Sequence, residues 1–242
     1  MKPRILYILV ATLLLSVPLS NIKAEEKPPF KQDLRIGVKG GVNLSKVAFT
    51  PSKKEAFLIK YNGGIVTRWV TERHFGLQAE LNYSMRGWER EFIDQTHIDK
   101  GYEYSRDMSY IEFPLMTHIY FGGKTARVFF NLGPQISLFL SDKENIKNFD
   151  VSKESDPDYF AEVGKPVENK FDWGICGGGG FEVNTRTGSY ILEARYYFGL
   201  GNIFKNSRDI ANGVRKDPFS RSAFSLISVN VVYLIPIPTK TK

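Results

Sequence analysis

From Leu34 onward the chain alternates. Leu34, Ile36, Val38, Gly40, Val42 and Leu44 are separated by Arg35, Gly37, Lys39, Gly41, Asn43 and Ser45. The same period of two returns at Phe75, Leu77, Ala79, Leu81, Tyr83 and Met85, with Gly76, Gln78, Glu80, Asn82, Ser84 and Arg86 between them. Successive side chains of a β-strand point to opposite faces, so each run predicts a strand with one apolar and one polar side. Six more strands are predicted at about 57–70, 109–121, 126–140, 171–183, 189–200 and 223–234. Most are far longer than the roughly 5–6 residues usual in soluble proteins. They reach or exceed the roughly 9–11 residues that cross a bilayer at a tilt.

The connections alternate as well. Thr71–His74, Gly122–Thr125 and Asn184–Gly188 are tight turns, whereas Lys46–Ala56, Gly87–Met108, Ser141–Lys170 and Gly201–Ser222 are long. An antiparallel transmembrane barrel with short periplasmic turns and long external loops produces that order. A soluble lipocalin-like barrel would also have eight strands, but it has no reason to gather its long loops at one end. The expected fold is therefore all-β: an eight-stranded antiparallel transmembrane β-barrel with four long loops.

The faces fit such a barrel. Phe171, Trp173, Ile175 and Phe181 share one side of a strand, as do Tyr190, Leu192, Ala194, Tyr196, Phe198 and Leu200. Opposite them lie Asp172, Glu182, Glu193 and Arg195. Apolar side chains would face lipid and polar ones the interior, and closure would remove the unpaired edges that hydrocarbon does not tolerate. The last strand is the least regular. Ile227, Val229, Val231 and Tyr233 oppose Ser228 and Asn230, but Phe224, Leu226 and Val232 fall on the polar side.

The N-terminus adds a destination. Lys2 and Arg4 precede an apolar stretch from Ile5 to Leu19, and Asn21-Ile22-Lys23-Ala24 leads into Glu25-Glu26, the three parts of a secretory signal peptide. The expected organisation is a signal peptide over 1–24, a short lead over 25–31, the barrel over 32–234 and a tail over 235–242, with the mature protein integral to a bacterial outer membrane. The formal net charge is +7, of which Lys2, Arg4 and Lys23 supply three, and no Lys/Arg stripe interleaved with aromatics points to nucleic acid. The rest of the composition agrees with closed sheet: 14% aromatic residues, 18 of them Phe and 12 Tyr, beside 21 Gly.

Several segments then resemble a known family. Ile36-Gly-Val-Lys-Gly-Gly-Val-Asn-Leu-Ser45, Gly76-Leu-Gln-Ala-Glu-Leu-Asn-Tyr-Ser84 and Tyr110-Ile-Glu-Phe-Pro-Leu115 occur in that order. They are followed by Asn131-Leu-Gly-Pro134, Phe171-Asp-Trp-Gly-Ile175 with Gly177 to Gly180, and Glu193-Ala-Arg-Tyr-Tyr-Phe-Gly-Leu200. Over essentially the whole mature chain this is similar to the PorT-like outer-membrane β-barrel family of the Bacteroidetes, often labelled porin family proteins. The resemblance implies an integral barrel and brings no ligand with it. The chain departs from many such barrels at its end, where Tyr233 is followed by nine residues instead of closing the chain on an aromatic.

The candidate site is the interior. Glu80, Arg86, Glu112, Glu193 and Arg195, with Lys39, Arg68, Asp172 and Glu182 behind them, are expected to form an internal charge network. Eight strands leave a lumen that side chains fill, and charges there must pair. Arg195 is expected to point inward and meet one or more of the glutamates. Trp69, Trp88, Tyr104, Tyr110, Trp173 and Tyr233 are expected to form interfacial girdles. The 141–170 segment, with eight acids and five bases, is expected to be a solvated surface loop.

Catalytic constellations are not found. His74, His97 and His118 lack metal-ligand spacing, and Cys176 sits among glycines far from any histidine, as a packed cysteine would. Gly177 to Gly180 lacks the Gly-Lys-Ser/Thr ending of a phosphate loop. No enzyme activity, cofactor or metal is expected. The expected partners are outer-membrane lipid and, as candidates, a protein of the envelope or of a secretion assembly. The expected role is envelope integrity or surface interaction without general diffusion. The alternatives are an accessory part of a secretion or transport assembly, or a carrier of a small apolar ligand.

Overall fold

The structure, a computed structural model, describes residues 32–93, 95–150, 152, 159–205, 210–211, 214–215 and 217–238. The expected signal peptide and the whole of the lead lie outside the described residues. Eight strands carry the fold: β1 (Asp33–Thr50), β2 (Leu58–Glu72), β3 (Phe75–Arg90), β4 (Glu103–Gly122), β5 (Ala126–Lys147), β6 (Phe171–Asn184), β7 (Ser189–Gly199) and β8 (Arg221–Ile237). Each pairs antiparallel with its neighbours in sequence. β1 also pairs with β8, from Leu34 opposite Ile237 to Thr50 opposite Arg221, so the sheet closes into a ring.

The turns at one end are short because local chemistry closes them. Between β2 and β3 only Arg73 and His74 intervene, and His74 takes a left-handed conformation with φ 74°. Gly122 adopts φ 127°, where a Cβ would lie 2.6 Å from the Ala126 carbonyl oxygen. Between β6 and β7 the Thr185 amide donates to the Gly188 carbonyl at 2.8 Å, and the Thr185 hydroxyl does so at 2.7 Å.

Three long connections are shorter than the alternation suggested, and at the first β1 continues to Thr50, so the expected Lys46–Ala56 loop begins only at Pro51. β3 continues to Arg90 and β4 starts at Glu103, so the expected Gly87–Met108 loop shrinks to 91–102. β5 continues to Lys147, so seven residues assigned to a loop are strand, held by pairings from Glu103 opposite Lys147 to Ser109 opposite Ser141. A strand that rises beyond the apolar band can carry polar residues on its outer side, so alternation of hydrophobicity stops before the ladder does. The last strand likewise ends at Ile237, three residues past the expected boundary at 234, with Pro236 opposite Arg35.

Inside and outside are opposite in character. The outer wall is a continuous apolar surface that includes Val38, Ile65, Leu81, Leu115, Phe130, Trp173, Phe181 (66% exposed) and Val231 (62%). The interior is layered. Near the short turns Val66, Val70, Tyr120, Phe129, Ile191, Val232 and Leu234 form an apolar floor. Above it lies a polar middle, and above that an aromatic cluster containing Phe49, Trp88, Tyr104, Tyr110, Phe160, Phe204, Phe219 and Phe224. These layers account for the mixed last strand: Val232 and Leu234 complete the floor, Ser228 and Asn230 the middle, and Phe224 and Leu226 the aromatic layer.

Candidate functional site

All nine residues expected in the charge network are buried inside the barrel, each less than a tenth exposed. The alternation of strand faces explains this directly. Glu80 and Arg86 lie on β3 with the parity of Gln78, Asn82 and Ser84, and all of these side chains are buried. Glu193 and Arg195 do the same on β7.

At the centre Arg195 grips two carboxylates. Its guanidinium donates to Glu80 at 2.7 and 3.0 Å and to Glu193 at 2.8 Å. Glu80 also accepts from Lys39 Nζ at 3.0 Å, Gln78 Nε2 at 2.6 Å and Asn82 Nδ2 at 2.9 Å, while Asn131 donates to Glu193 at 3.2 Å. Below, Arg68 donates to Glu182 at 2.6 Å and to Gln78 at 2.8 Å, and Arg35 joins Glu182 at 3.2 Å. Above, Arg86 donates to Asp172 at 2.8 Å, and the Tyr197 hydroxyl meets the same carboxylate oxygen at 2.9 Å. Arg86 stacks on Tyr110 at 3.8 Å and on Phe224 at 4.2 Å. Glu112 stands 3.6 Å from Arg86 and makes no hydrogen bond to it. Ions taken from water must recover their solvation from neighbours, and eight of the nine do so through close bonds.

The aromatic expectation divides. Trp69 and Trp173 project from the outer wall, and Tyr233 is half-buried there with its ring 4.9 Å from that of Tyr190. Trp88, Tyr104 and Tyr110 do not belong to a girdle. Each is 1% exposed and points inward, which corrects the assignment. Trp88 shares the inward parity of Arg86, Tyr110 that of Glu112, and Tyr104 that of the buried Arg106. Counting by twos from the charged positions is the signal that places them. Trp88 packs edge-on to Phe49 at 5.5 Å and Phe204 at 6.4 Å.

The aromatic layer has its own cations. Arg90 pairs with Glu162 and stacks on Tyr159 at 4.1 Å. Arg106 donates through Nε to Asp142 at 2.8 Å and reaches Glu144 at 2.9 Å. These residues were not singled out from sequence, because Glu162 lies in the segment expected to be solvated. That expectation is corrected at Phe160 and Glu162, which are buried in the barrel mouth, with Phe160 5.2 Å from Phe149 and 6.2 Å from Phe92. Apolar residues too few to form a periodic element still have a core to enter when the barrel supplies it. Next to Glu162, burial and the neighbouring carboxylate push the Glu55 carboxyl up to about 8.

Among the described residues, no group of three or more His, Cys, Asp or Glu side chains is placed to hold a metal ion. Cys176 is buried, its thiol 3.5 Å from the Gly133 carbonyl. His118 bonds to Asn131 at 2.8 Å and stacks against Tyr120 and Phe129.

A closed eight-stranded ring with a lipid-compatible apolar exterior and an ionic interior defines a small membrane-spanning β-barrel. No helix among the described residues is long and apolar enough to cross a membrane. The chain belongs to the outer membrane protein beta-barrel domain family, whose model matches residues 24–205. Among solved structures it is similar to the outer membrane protein OprG from Pseudomonas aeruginosa, with 12% identity, 86% of this chain and 97% of that chain covered, and a TM-score of 0.51. Weaker likenesses include Ail, the attachment invasion locus protein of Yersinia pestis (11% identity, 84% and 99% covered, TM-score 0.38). Neisserial surface protein A is another (10% identity, 82% and 96% covered, TM-score 0.39). No curated protein matches the sequence.

Proposed function

We propose that this protein is a non-enzymatic outer-membrane barrel that acts as a rigid surface platform in the envelope and does not serve as a diffusion pore. The observation that carries this reading is the filled interior: an apolar floor, a paired ionic middle and an aromatic plug occupy the lumen from one end to the other. Eight strands leave only enough interior for side chains, whereas open channels use about 16 or more. The polar extensions of β4 and β5, with the connection that follows β5, form the end presented to the outside, and the short turns face the periplasm. Export through the segment over 1–24 belongs to the same proposal. So does PorT-like membership, which is supported by the order of the sequence motifs.

Planar-bilayer recording of refolded protein tests the reading. The expected result is no sustained current. Stable openings of several hundred picosiemens would refute it, since the layers described leave no path of that size.

A further inference from the structure

Four polar atoms deep in the barrel have no hydrogen-bond partner, and their residues line one cavity. They are Asn62 Oδ1, Asn82 Oδ1, Glu112 Oε1 and Gln135 Nε2. The space open to the centre of a water molecule there is about 10 Å³, room for one molecule. Both asparagine orientations are fixed from behind. Asn82 Nδ2 donates to Glu80 at 2.9 Å, and Asn62 Nδ2 donates to Asn43 Oδ1 at 2.7 Å. The Asn43 amide nitrogen is in turn committed to Ser84 Oγ and the Met85 carbonyl. The oxygens left over on Asn62 and Asn82 are therefore acceptors in need of donors.

The charges around this cavity do not balance if every group is ionised. Lys39 from β1, Arg86 from β3 and Arg195 from β7 face Glu80 from β3, Glu112 from β4, Asp172 from β6 and Glu193 from β7. Tyr110, Cys176 and Tyr197 are the remaining titratable neighbours, and they are neutral in their ordinary state. Within this layer three cations thus meet four carboxylates, while Arg68 and Arg35 are committed to Glu182 below. Glu80 has Lys39 and Arg195, Glu193 has Arg195, and Asp172 has Arg86 with the Tyr197 hydroxyl. Glu112 has the Ser84 hydroxyl and, as its nearest cation, Arg86 Nη1 at 3.6 Å, and neither that nitrogen nor Glu112 Oε1 has a hydrogen-bond partner. An ionised carboxylate beside a buried guanidinium closes to charge-assisted hydrogen-bond distance, about 2.7–2.9 Å.

We propose that Glu112 is a proton-binding site, neutral at physiological pH, and that it and one buried water together satisfy the cavity. The water accepts from the Glu112 O–H and from Gln135 Nε2–H, and it donates to Asn62 Oδ1 and Asn82 Oδ1. Two donors and two acceptors meet their complements, and the three cations are left facing three carboxylates. With Glu112 ionised, three acceptors would compete for the two protons of the water. A monovalent cation could meet the three oxygens but would leave the Gln135 donor unmatched. It would also share the cavity with Lys39 and Arg195, which line it.

Infrared spectroscopy of the refolded full barrel tests this. At neutral pH the Glu55→Gln background, which removes the mouth carboxyl that also holds its proton there, should show the carbonyl stretch of a protonated carboxylic acid, shifted by carbon-13 glutamate labelling and lost when Glu112→Gln is added. Glu112→Gln preserves the shape of the neutral acid, so its urea midpoint should equal the parent's, while Glu80→Gln should lower the midpoint clearly. The proposal is overturned if the Glu55→Gln background has no such band, or if Glu112→Gln falls as far as Glu80→Gln. It is also overturned if the band appears only when sodium and potassium are replaced by a bulky organic cation, since that would mark a metal-ion site.

Discussion

Replacing Arg195 with Leu removes the one cation that bonds both Glu80 and Glu193. The two carboxylates do not suffer equally. Glu80 keeps Lys39 at 3.0 Å and two amide donors, whereas Glu193 keeps only the Asn131 amide at 3.2 Å as a direct bond. Breaking a buried pair by removing one partner costs about 3–5 kcal/mol, and the loss here should concentrate on Glu193. With a urea slope of roughly 2 kcal/mol per molar, the midpoint of refolded protein in detergent should fall by about 2 M. The double variant Arg195→Leu/Glu193→Gln should recover most of that fall, because it removes the stranded charge along with its partner. Lys147→Ala is the control: its pair with Glu103 is about two-thirds exposed on both sides, so water screens it and the midpoint should not move. Equal midpoints for Arg195→Leu and the parent would refute the reasoning. So would a double variant no better than the single one, since that would assign the loss to packing instead of charge.

Three further outcomes follow from the loop end and the wall. Glu55 has a folded pKa of about 8 against an ordinary 4.5, so the folded mouth holds the proton more tightly than the opened one. Its contribution is therefore full below about 4.5 and is lost as pH rises through about 8. Protease cleavage of the connections at the barrel mouth should increase over that window, and Glu55→Gln should flatten the dependence. Trp88→Ala should destabilise by about 3–5 kcal/mol, as deletion of a buried ring does, where a girdle position would cost far less; chemical unfolding reads the difference. Gly178→Val should fail to give a heat-modifiable band on gels after refolding. Its Cβ would lie 2.2 Å from the Ala194 carbonyl oxygen and 2.7 Å from Arg195 Cα, both backbone atoms that cannot step aside.

The middle of the barrel is legible in the sequence because there one face meets hydrocarbon and the other meets ions. Glu80, Glu193 and Arg195 could be placed by parity alone, since the neighbours on either side of each are apolar or small. Legibility fails where the contrast between faces fails. From Glu103 to Ser109 the outward Glu103, Ser105 and Asp107 are polar like a loop, yet the ladder to β5 holds them in a strand. Trp88, Tyr104 and Tyr110 were ambiguous for a different reason. A ring near a strand end satisfies an interface or a plug equally well by composition, and only its parity relative to Arg86, Arg106 and Glu112 decides. The contribution of Phe160 and Glu162 had no local signal. What draws them in is the apolar mouth made by residues more than 50 positions away, Phe92 and Arg90 among them.

The long-range ionic contacts bear on how such a molecule is put together. Arg68 reaches Glu182, Arg86 reaches Asp172 and Arg195 reaches Glu80, spanning 114, 86 and 115 residues and joining strands that are not neighbours in the ring. None of these contacts can form in a hairpin, and those of Arg68 and Arg195 need five consecutive strands. A partly inserted sheet would hold the same charges without their partners, where bare ions are most expensive. Assembly is therefore biased toward all or nothing, with the final β1–β8 seam and the internal ion pairs completed together. The same bonds guard against misalignment. A one-residue slip would turn the charges outward into lipid, and a two-residue slip, which keeps them inside, would displace each Arg from its carboxylate by roughly 7 Å at about 3.3 Å per residue. Apolar contacts alone would tolerate that second error, and the ionic ones do not.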